Sequence, residues 1–213
     1  MSDPSRRPAT RAAAPSGYDA PDPVSTAADV RAAAILKAVT WLRVVLVPVI
    51  MWLVLAGPDT SDAFGLAAAL FAVAALTDLV DGFLARRWAQ TSVFGNFLDT
   101  TADKLLVTGA LVALVAVDRA SAWVAFVIVG RELLVLGLKG AVAAGGELVK
   151  PSIWGKAKAN VQFLAIFLAM VRTGDPIGPL YLDEYVMLVA AAITVLSAVE
   201  YVMRFRAAIS ADR

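Results

Sequence analysis

The chain has 213 residues, 60% of them apolar and 17% charged; with a mean hydropathy of +0.74 this is the composition of a membrane protein rather than of a soluble domain, where the shares are about 45–50% and about 25%. Nineteen basic and 18 acidic residues leave a net charge of +1, which argues against a nucleic-acid binder that works through a basic field. The chain has neither Cys nor His, which excludes disulfides, thiol and histidine catalysis, and thiolate or imidazole metal sites, so that any metal must be held by oxygen, as Mg²⁺, Mn²⁺ or Ca²⁺ are.

Residues 1–25 hold Pro4, Pro8, Pro15, Pro21 and Pro23 among Ser, Ala and Arg and no apolar run, which predicts a disordered tail. Arg6-Arg7 has no hydrophobic region close behind it, so the tail is expected to stay in the cytosol. Residues 26–213 read as one domain. Thr26-Ala-Ala-Asp29 has the pattern of a capping box that opens a helix. Six apolar segments follow, at 34–56, 63–86, 94–117, 121–142, 155–172 and 182–205, each about the 20 residues that cross a hydrocarbon core. Gly57-Pro58, Asp118-Arg119 and Gly174-Asp175-Pro176 mark the turns after the first, third and fifth.

Charge orients the segments. Arg6, Arg7, Arg11, Arg31 and Lys37 precede the first, Arg86 and Arg87 follow the second, Lys139, Lys150, Lys156 and Lys158 surround the fourth connection, and Arg204, Arg206 and Arg213 follow the sixth. The other connections carry no basic residue, then Arg119, then Arg172. Basic flanks lie on the cytoplasmic side. The predicted fold is therefore all-α, an integral membrane bundle of six transmembrane helices with both termini cytoplasmic.

Ionisable residues inside such segments are costly and mark function by default. Here they are Arg43, Asp78, Asp81, Asp99, Asp103, Lys104, Arg131 and Glu132. Asp78 lies eight residues before Arg86, about 12 Å along a helix. Arg43 and Arg131 are expected in the cytosolic halves of segments 1 and 4, so that all eight can face one polar cavity open to the cytoplasm. Asp78 and Asp81 are spaced i, i+3 and Asp99 and Asp103 i, i+4, so each pair shares a helix face. Segments 2 and 3, joined by a short turn, are expected to pack as antiparallel neighbours. Four carboxylates converging there need protons or cations, and two divalent cations would balance them. A buried network with Arg43, Lys104 and Arg131, or an ion pathway, would use the same residues.

The stretch Asp78-Leu-Val-Asp81-Gly82-Phe-Leu-Ala85-Arg86, with Gly95, Asp99 and Asp103 beyond it, resembles the signature of the CDP-alcohol phosphatidyltransferase family, D-x2-D-G-x2-A-R-x8-G-x3-D-x3-D. All eight specified positions match, which a random window does with odds on the order of 10⁻⁹. Gly82 lets a ligand approach the helix backbone, Ala85 keeps the same face open, and Arg86 can clamp phosphate at the mouth. Gly95 can serve close helix approach instead. Thr40-x-x-Arg43 with Pro48, Phe83 to Trp88, Phe97 to Lys104, Arg131-Glu132 and Trp154-Gly-Lys156-x-Lys158-x-x-x-Gln162 are similar to the phosphatidylglycerophosphate synthase branch. Lys37, Thr100, Lys139 and Ala159 depart from that branch's pattern. The sixth segment adds nothing specific to the resemblance.

The resemblance implies that Asp78, Asp81, Asp99 and Asp103 hold two Mg²⁺ or Mn²⁺ ions, with Asp103 also the general base. It implies that Gly82, Ala85, Arg86, Ser92 and Thr40 bind CDP-diacylglycerol. A phosphate-bearing acceptor, glycerol 3-phosphate in that branch, calls for basic residues, for which Arg43, Arg131, Lys139 and Lys156 are the candidates. Lys150 and Lys158 read as surface charges, and Arg43 can instead balance the Asp cluster. A homodimer in the plasma membrane, its site facing the cytoplasm, is implied as well. Within the family, inositol phosphate or phosphatidylglycerol are alternative acceptors. Outside it, a divalent-cation transporter could use the same carboxylates, but the outer halves of the segments are apolar, which disfavours transport.

Overall fold

Long apolar runs without internal breakers leave the backbone one way to satisfy its own hydrogen bonds in lipid, the α-helix. The computed structural model describes the backbone of residues 27–60, 62–88, 93–144, 153–172 and 174–211, and the side chains of 38–60, 62–77, 98, 100–140, 158–172 and 174–203. Among these, six helices follow in order: α1 (Ala27–Ala56), α2 (Ala63–Trp88), α3 (Val93–Ala116), α4 (Ala122–Ala144), α5 (Ile153–Val171) and α6 (Leu182–Ala211). The ends agree with the apolar segments to within two residues except at two places. α1 begins seven residues early, directly after Thr26, and α6 runs six residues on. Both extensions are rich in Ala and Arg, good helix formers that hydropathy does not detect. The expected tail, residues 1–25, lies outside the described residues.

α1 and α6 contain Ala38–Ala56 and Leu182–Met203, long and apolar enough to cross a membrane; α2 and α5 contain the shorter apolar stretches Ala63–Thr77 and Lys158–Val171. Trp52, Leu76, Phe126 and Leu196 are exposed on the outer surface, an arrangement that suits lipid rather than water. The interior is built by Ile50 and Val54 of α1, Phe71 of α2, Leu106, Leu111 and Leu114 of α3, Ile128 of α4 and Ile166 of α5. The Phe71 and Phe163 rings meet at 5.8 Å across α2 and α5.

α1 packs on α2 and α3, α5 on α2, α3 and α6, and α4 on α3 and α6. Direct packing of α2 along α3 was expected and is not among the extensive contacts between described residues; instead α1 and α5 each touch both. Ala67, Ala68 and Ala74 of α2 are buried, and small residues let membrane helices approach closely.

α1 and α3 approach closely at Gly109, where a Cβ would stand 2.6 Å from Val47 Cγ1 and 3.0 Å from Met51 Sδ. Gly109→Val should therefore wedge the pair apart and cost about 1–3 kcal/mol, seen as a lowered melting temperature in detergent. An unchanged melting temperature would contradict this packing.

The turns after α3 and α5 and the start of α2 are fastened together at one end of the bundle. α3 closes in a Schellman motif, with Arg119 N donating to Leu114 O at 2.9 Å and Asp118 N to Val115 O at 3.2 Å, and Asp118 at φ 56 in the left-handed cap position. Arg119 Nη1 caps α5 by donating to the carbonyls of Ala169 (3.2 Å) and Met170 (2.7 Å). Its guanidinium carbon lies 3.5 Å from the centre of the Phe64 ring. Arg172 donates to Arg119 O at 3.2 Å and to Asp183 Oδ2 at 2.7 Å. The two basic residues of the sparsely charged side are thus consumed in tying loops. Burial, and Arg172 beside it, pull the Arg119 guanidinium below its ordinary pKa, while Asp183 acts the other way.

Candidate active site

The site begins with the positions of its carboxylates. α2 is helical through Asp78 and Asp81, and α3 through Asp99 and Asp103, so the i, i+3 and i, i+4 spacings do place each pair on one helix face. The side chains of Asp78, Asp81, Gly82, Ala85, Arg86, Asp99 and Lys156 lie outside the described residues, as does Ser92 altogether. Among the described residues no three acidic side chains gather as a metal site. Asp103, the member of the quartet whose side chain is described, lines a cavity. An all-oxygen donor set on two helices, one oxygen donor of which faces a polar cavity, fits a hard divalent cation.

That cavity has a volume of about 230 Å³ and is walled by α3, α4, α5 and α6. Among the described residues, Lys104, Arg131, Lys139 and Lys158 contribute four positive charges to its wall, against Asp103 and Glu132, a formal excess of two. Glu132 is the hub. Its Oε2 accepts from Lys104 Nζ at 2.9 Å, and its Oε1 accepts from Arg131 Nη1 at 3.3 Å and from Lys158 Nζ. The partners come from α3, α4 and α5, so one carboxylate ties three helices. Arg131 Nη2 donates to Ser197 Oγ at 2.6 Å, and its buried Nε has no hydrogen-bond partner. Gln162 donates to Thr194 Oγ1 at 2.8 Å. Lys139 Nζ stands 5.6 Å from the centre of the Tyr201 ring, within cation–π range.

Of the basic residues expected around an acceptor, Arg131 and Lys139 are on this wall and Arg43 is not. Arg43 is 1% exposed on α1, with the buried Thr40 a turn before it. Arg131 lies two residues before Leu133, the middle of α4, and so falls just short of the C-terminal half of that helix in which it was expected. Lys158, read as a surface charge, is 5% exposed and paired with Glu132. Its place inside the fifth apolar segment was the available signal. Thr100, Lys139 and Ala159, three of the four departures from the branch pattern, all line the cavity. So do Gln162 and, from the sixth helix, Tyr201. α6, whose sequence adds nothing specific to the resemblance, supplies Ser197 and Tyr201, because its register turns a polar stripe inward.

Residues 34–196 match the family model of CDP-alcohol phosphatidyltransferase. The chain is similar to the CDP-diacylglycerol–glycerol-3-phosphate 3-phosphatidyltransferase of Bacillus subtilis, with 41% identity over 138 residues that cover 60% of this chain and 72% of the relative. It is 38% identical over 187 residues to a probable phosphatidylglycerophosphate synthase of Mycobacterium tuberculosis, covering 86% of this chain and 87% of the relative. Identity to the CDP-diacylglycerol–glycerol-3-phosphate 3-phosphatidyltransferase of Escherichia coli is 39% over 173 residues, 79% of this chain and 92% of that one.

Proposed function

The chain belongs to the CDP-alcohol phosphatidyltransferase family, and from that premise we propose that it transfers the phosphatidyl group of CDP-diacylglycerol to glycerol 3-phosphate, giving phosphatidylglycerol phosphate and CMP. It is an enzyme of phospholipid synthesis, a phosphotransferase. The observation that carries the choice of a phosphorylated acceptor is the cavity in which, among the described residues, four cationic side chains face Asp103 and Glu132. Its excess of two positive charges matches a phosphate monoester, which carries about −1.5 to −2 at neutral pH. Phosphatidylglycerol has no such monoester, and its phosphodiester carries a single negative charge that would answer the excess only in part. Among phosphate monoesters, the relatives named for glycerol 3-phosphate transfer support glycerol 3-phosphate.

In this reading the acceptor phosphate sits against Arg131, Lys139 and Lys156, with the unpartnered Nε of Arg131 a donor for one of its oxygens. Arg43, buried away from the cavity, balances the Asp cluster instead. Asp103 takes the proton of the acceptor hydroxyl. The hydroxyl oxygen forms a bond to the phosphatidyl phosphorus, and the phosphoanhydride bond to CMP breaks, with CMP keeping the electron pair. Gly82, Ala85, Arg86, Ser92 and Thr40 receive the nucleotide end of the donor, whose acyl chains remain in lipid. Asp78, Asp81, Asp99 and Asp103 would hold two Mg²⁺ or Mn²⁺ ions, which neutralise the diphosphate and the departing CMP. The bundle spans the plasma membrane six times as a homodimer, termini and site on the cytoplasmic side, with residues 1–25 a cytoplasmic tail.

The test is product identification from purified protein in detergent with labelled CDP-diacylglycerol and a panel of glycerol 3-phosphate, inositol phosphate and phosphatidylglycerol. Phosphatidylglycerol phosphate and CMP, from glycerol 3-phosphate alone, are the expected products; another preferred acceptor would overturn the assignment. EDTA should abolish CMP release, and added Mg²⁺ or Mn²⁺ should restore it. Full turnover in EDTA would remove the ions from the reaction.

A further inference from the structure

α6 carries three buried polar side chains at i, i+3 and i+7: Thr194, Ser197 and Tyr201. That spacing puts them on one face, while Val195, Leu196, Val199 and Met203 point outward to lipid. Each of the three meets a different residue of the cavity wall. Thr194 accepts from Gln162 of α5, Ser197 accepts from Arg131 of α4, and Tyr201 stands beside Lys139 of α4. Polar side chains between membrane helices often serve only to hold the helices together. Here every partner lines the cavity, which helix adhesion alone does not require.

The contact at Arg131 has the clearest consequence. Its guanidinium is gripped at both terminal nitrogens, by Glu132 Oε1 at 3.3 Å on Nη1 and by Ser197 Oγ at 2.6 Å on Nη2. Glu132 is the next residue on the same helix and is already shared with two lysines. It attracts the charge but leaves the plane of the guanidinium free to swing. Ser197 comes from another helix and is 1% exposed, so its oxygen is a fixed second point. With the side-chain stem at Nε as a third, these two points define the plane of a rigid fork, and a guanidinium recognises phosphate through that plane.

We propose that Ser197 is a positioning residue for acceptor selection: it fixes the plane of Arg131, so that α6 sets the affinity for a phosphorylated acceptor without touching it. The proposal rests on the acceptor-site reading above, in which Arg131 meets the acceptor phosphate. Ser197 takes no part in the chemistry. Its loss therefore shifts acceptor binding and leaves the donor site as it was.

The experiment is steady-state kinetics on full-length protein in detergent, with Ser197→Ala, Ser197→Thr and Arg131→Ala beside the parent. Loss of one hydrogen bond to a charged group corresponds to roughly tenfold. Ser197→Ala should raise the KM for glycerol 3-phosphate about tenfold, with kcat and the KM for CDP-diacylglycerol moving less than about twofold. Ser197→Thr, which keeps the oxygen, should return the acceptor KM to near the parent value. A fall in melting temperature in Ser197→Ala with both KM values unchanged would make Ser197 helix glue and overturn the proposal, as would an equal rise in both KM values. If Arg131→Ala raises the acceptor KM and Ser197→Ala does not, the proposal fails alone. If Arg131→Ala leaves the acceptor KM unchanged, the acceptor-site reading fails and the proposal with it.

Discussion

Asp103→Asn should lower CMP release by at least about a thousandfold while the protein remains folded, with a melting temperature in detergent close to that of the parent. Asparagine keeps the size of the side chain and one acceptor oxygen, so α3 should keep its packing between the buried Ala102 and Leu106. What it loses is basicity and charge. A general base contributes about 10²–10⁴ to rate, and the same carboxylate belongs to the proposed oxygen donor set, so both losses fall on one substitution. Asp103→Glu keeps the charge but moves it by one methylene, and should fall between the two. Turnover within tenfold of the parent in the Asn variant would take Asp103 out of the mechanism.

The fold was largely legible because lipid imposes a simple rule: uninterrupted apolar runs become helices, and turns fall at Gly57-Pro58, Asp118 and Gly174. Where the helices run on past the apolar runs, at Ala27 and Ala211, hydropathy had no signal to offer. That each Asp pair shares a helix face was legible for a different reason: the pairs lie on two consecutive helices at fixed spacing, so a linear pattern contains that much of the geometry. The basic half of the site is assembled from α3, α4, α5 and α6, and depends on how those helices are rotated about their axes. In a soluble bundle an apolar stripe reveals that rotation. In a membrane the outward face is as apolar as the core, and the stripe disappears. Lys158, two residues from Lys156, therefore looked like one more cytosolic-side charge, although it turns inward to Glu132. Ser197 passed for a harmless small residue in an apolar helix. Only the contact between α4 and α6 gives it Arg131 as a partner.

Glu132→Ala should be the most damaging single change for stability, at about 3–5 kcal/mol, and should reduce the yield of folded protein. Glu132 is buried and receives Lys104, Arg131 and Lys158. Removing it leaves three cations facing one another around a cavity with Asp103 as the remaining acidic side chain among the described residues of its wall. Such a loss exceeds the net worth of the pairs, because the desolvated charges stay behind. This distinction can be measured. Glu132→Gln combined with Lys158→Met removes one charge of each sign, so the wall keeps its excess of two while Gln retains a hydrogen-bonding group for Lys104. The double variant should recover most of the stability lost in Glu132→Ala, to within about 1–2 kcal/mol of the parent, by thermal or denaturant unfolding in detergent. Its activity should not recover in step, since Lys104 and Arg131 have lost the charge of their shared carboxylate and the acceptor KM should stay raised. If Glu132→Ala unfolds at the parent's temperature, the ion cluster does not hold α3, α4 and α5 together. If the double variant is as unstable as Glu132→Ala, the cost lies in lost packing at Glu132 rather than in uncompensated charge.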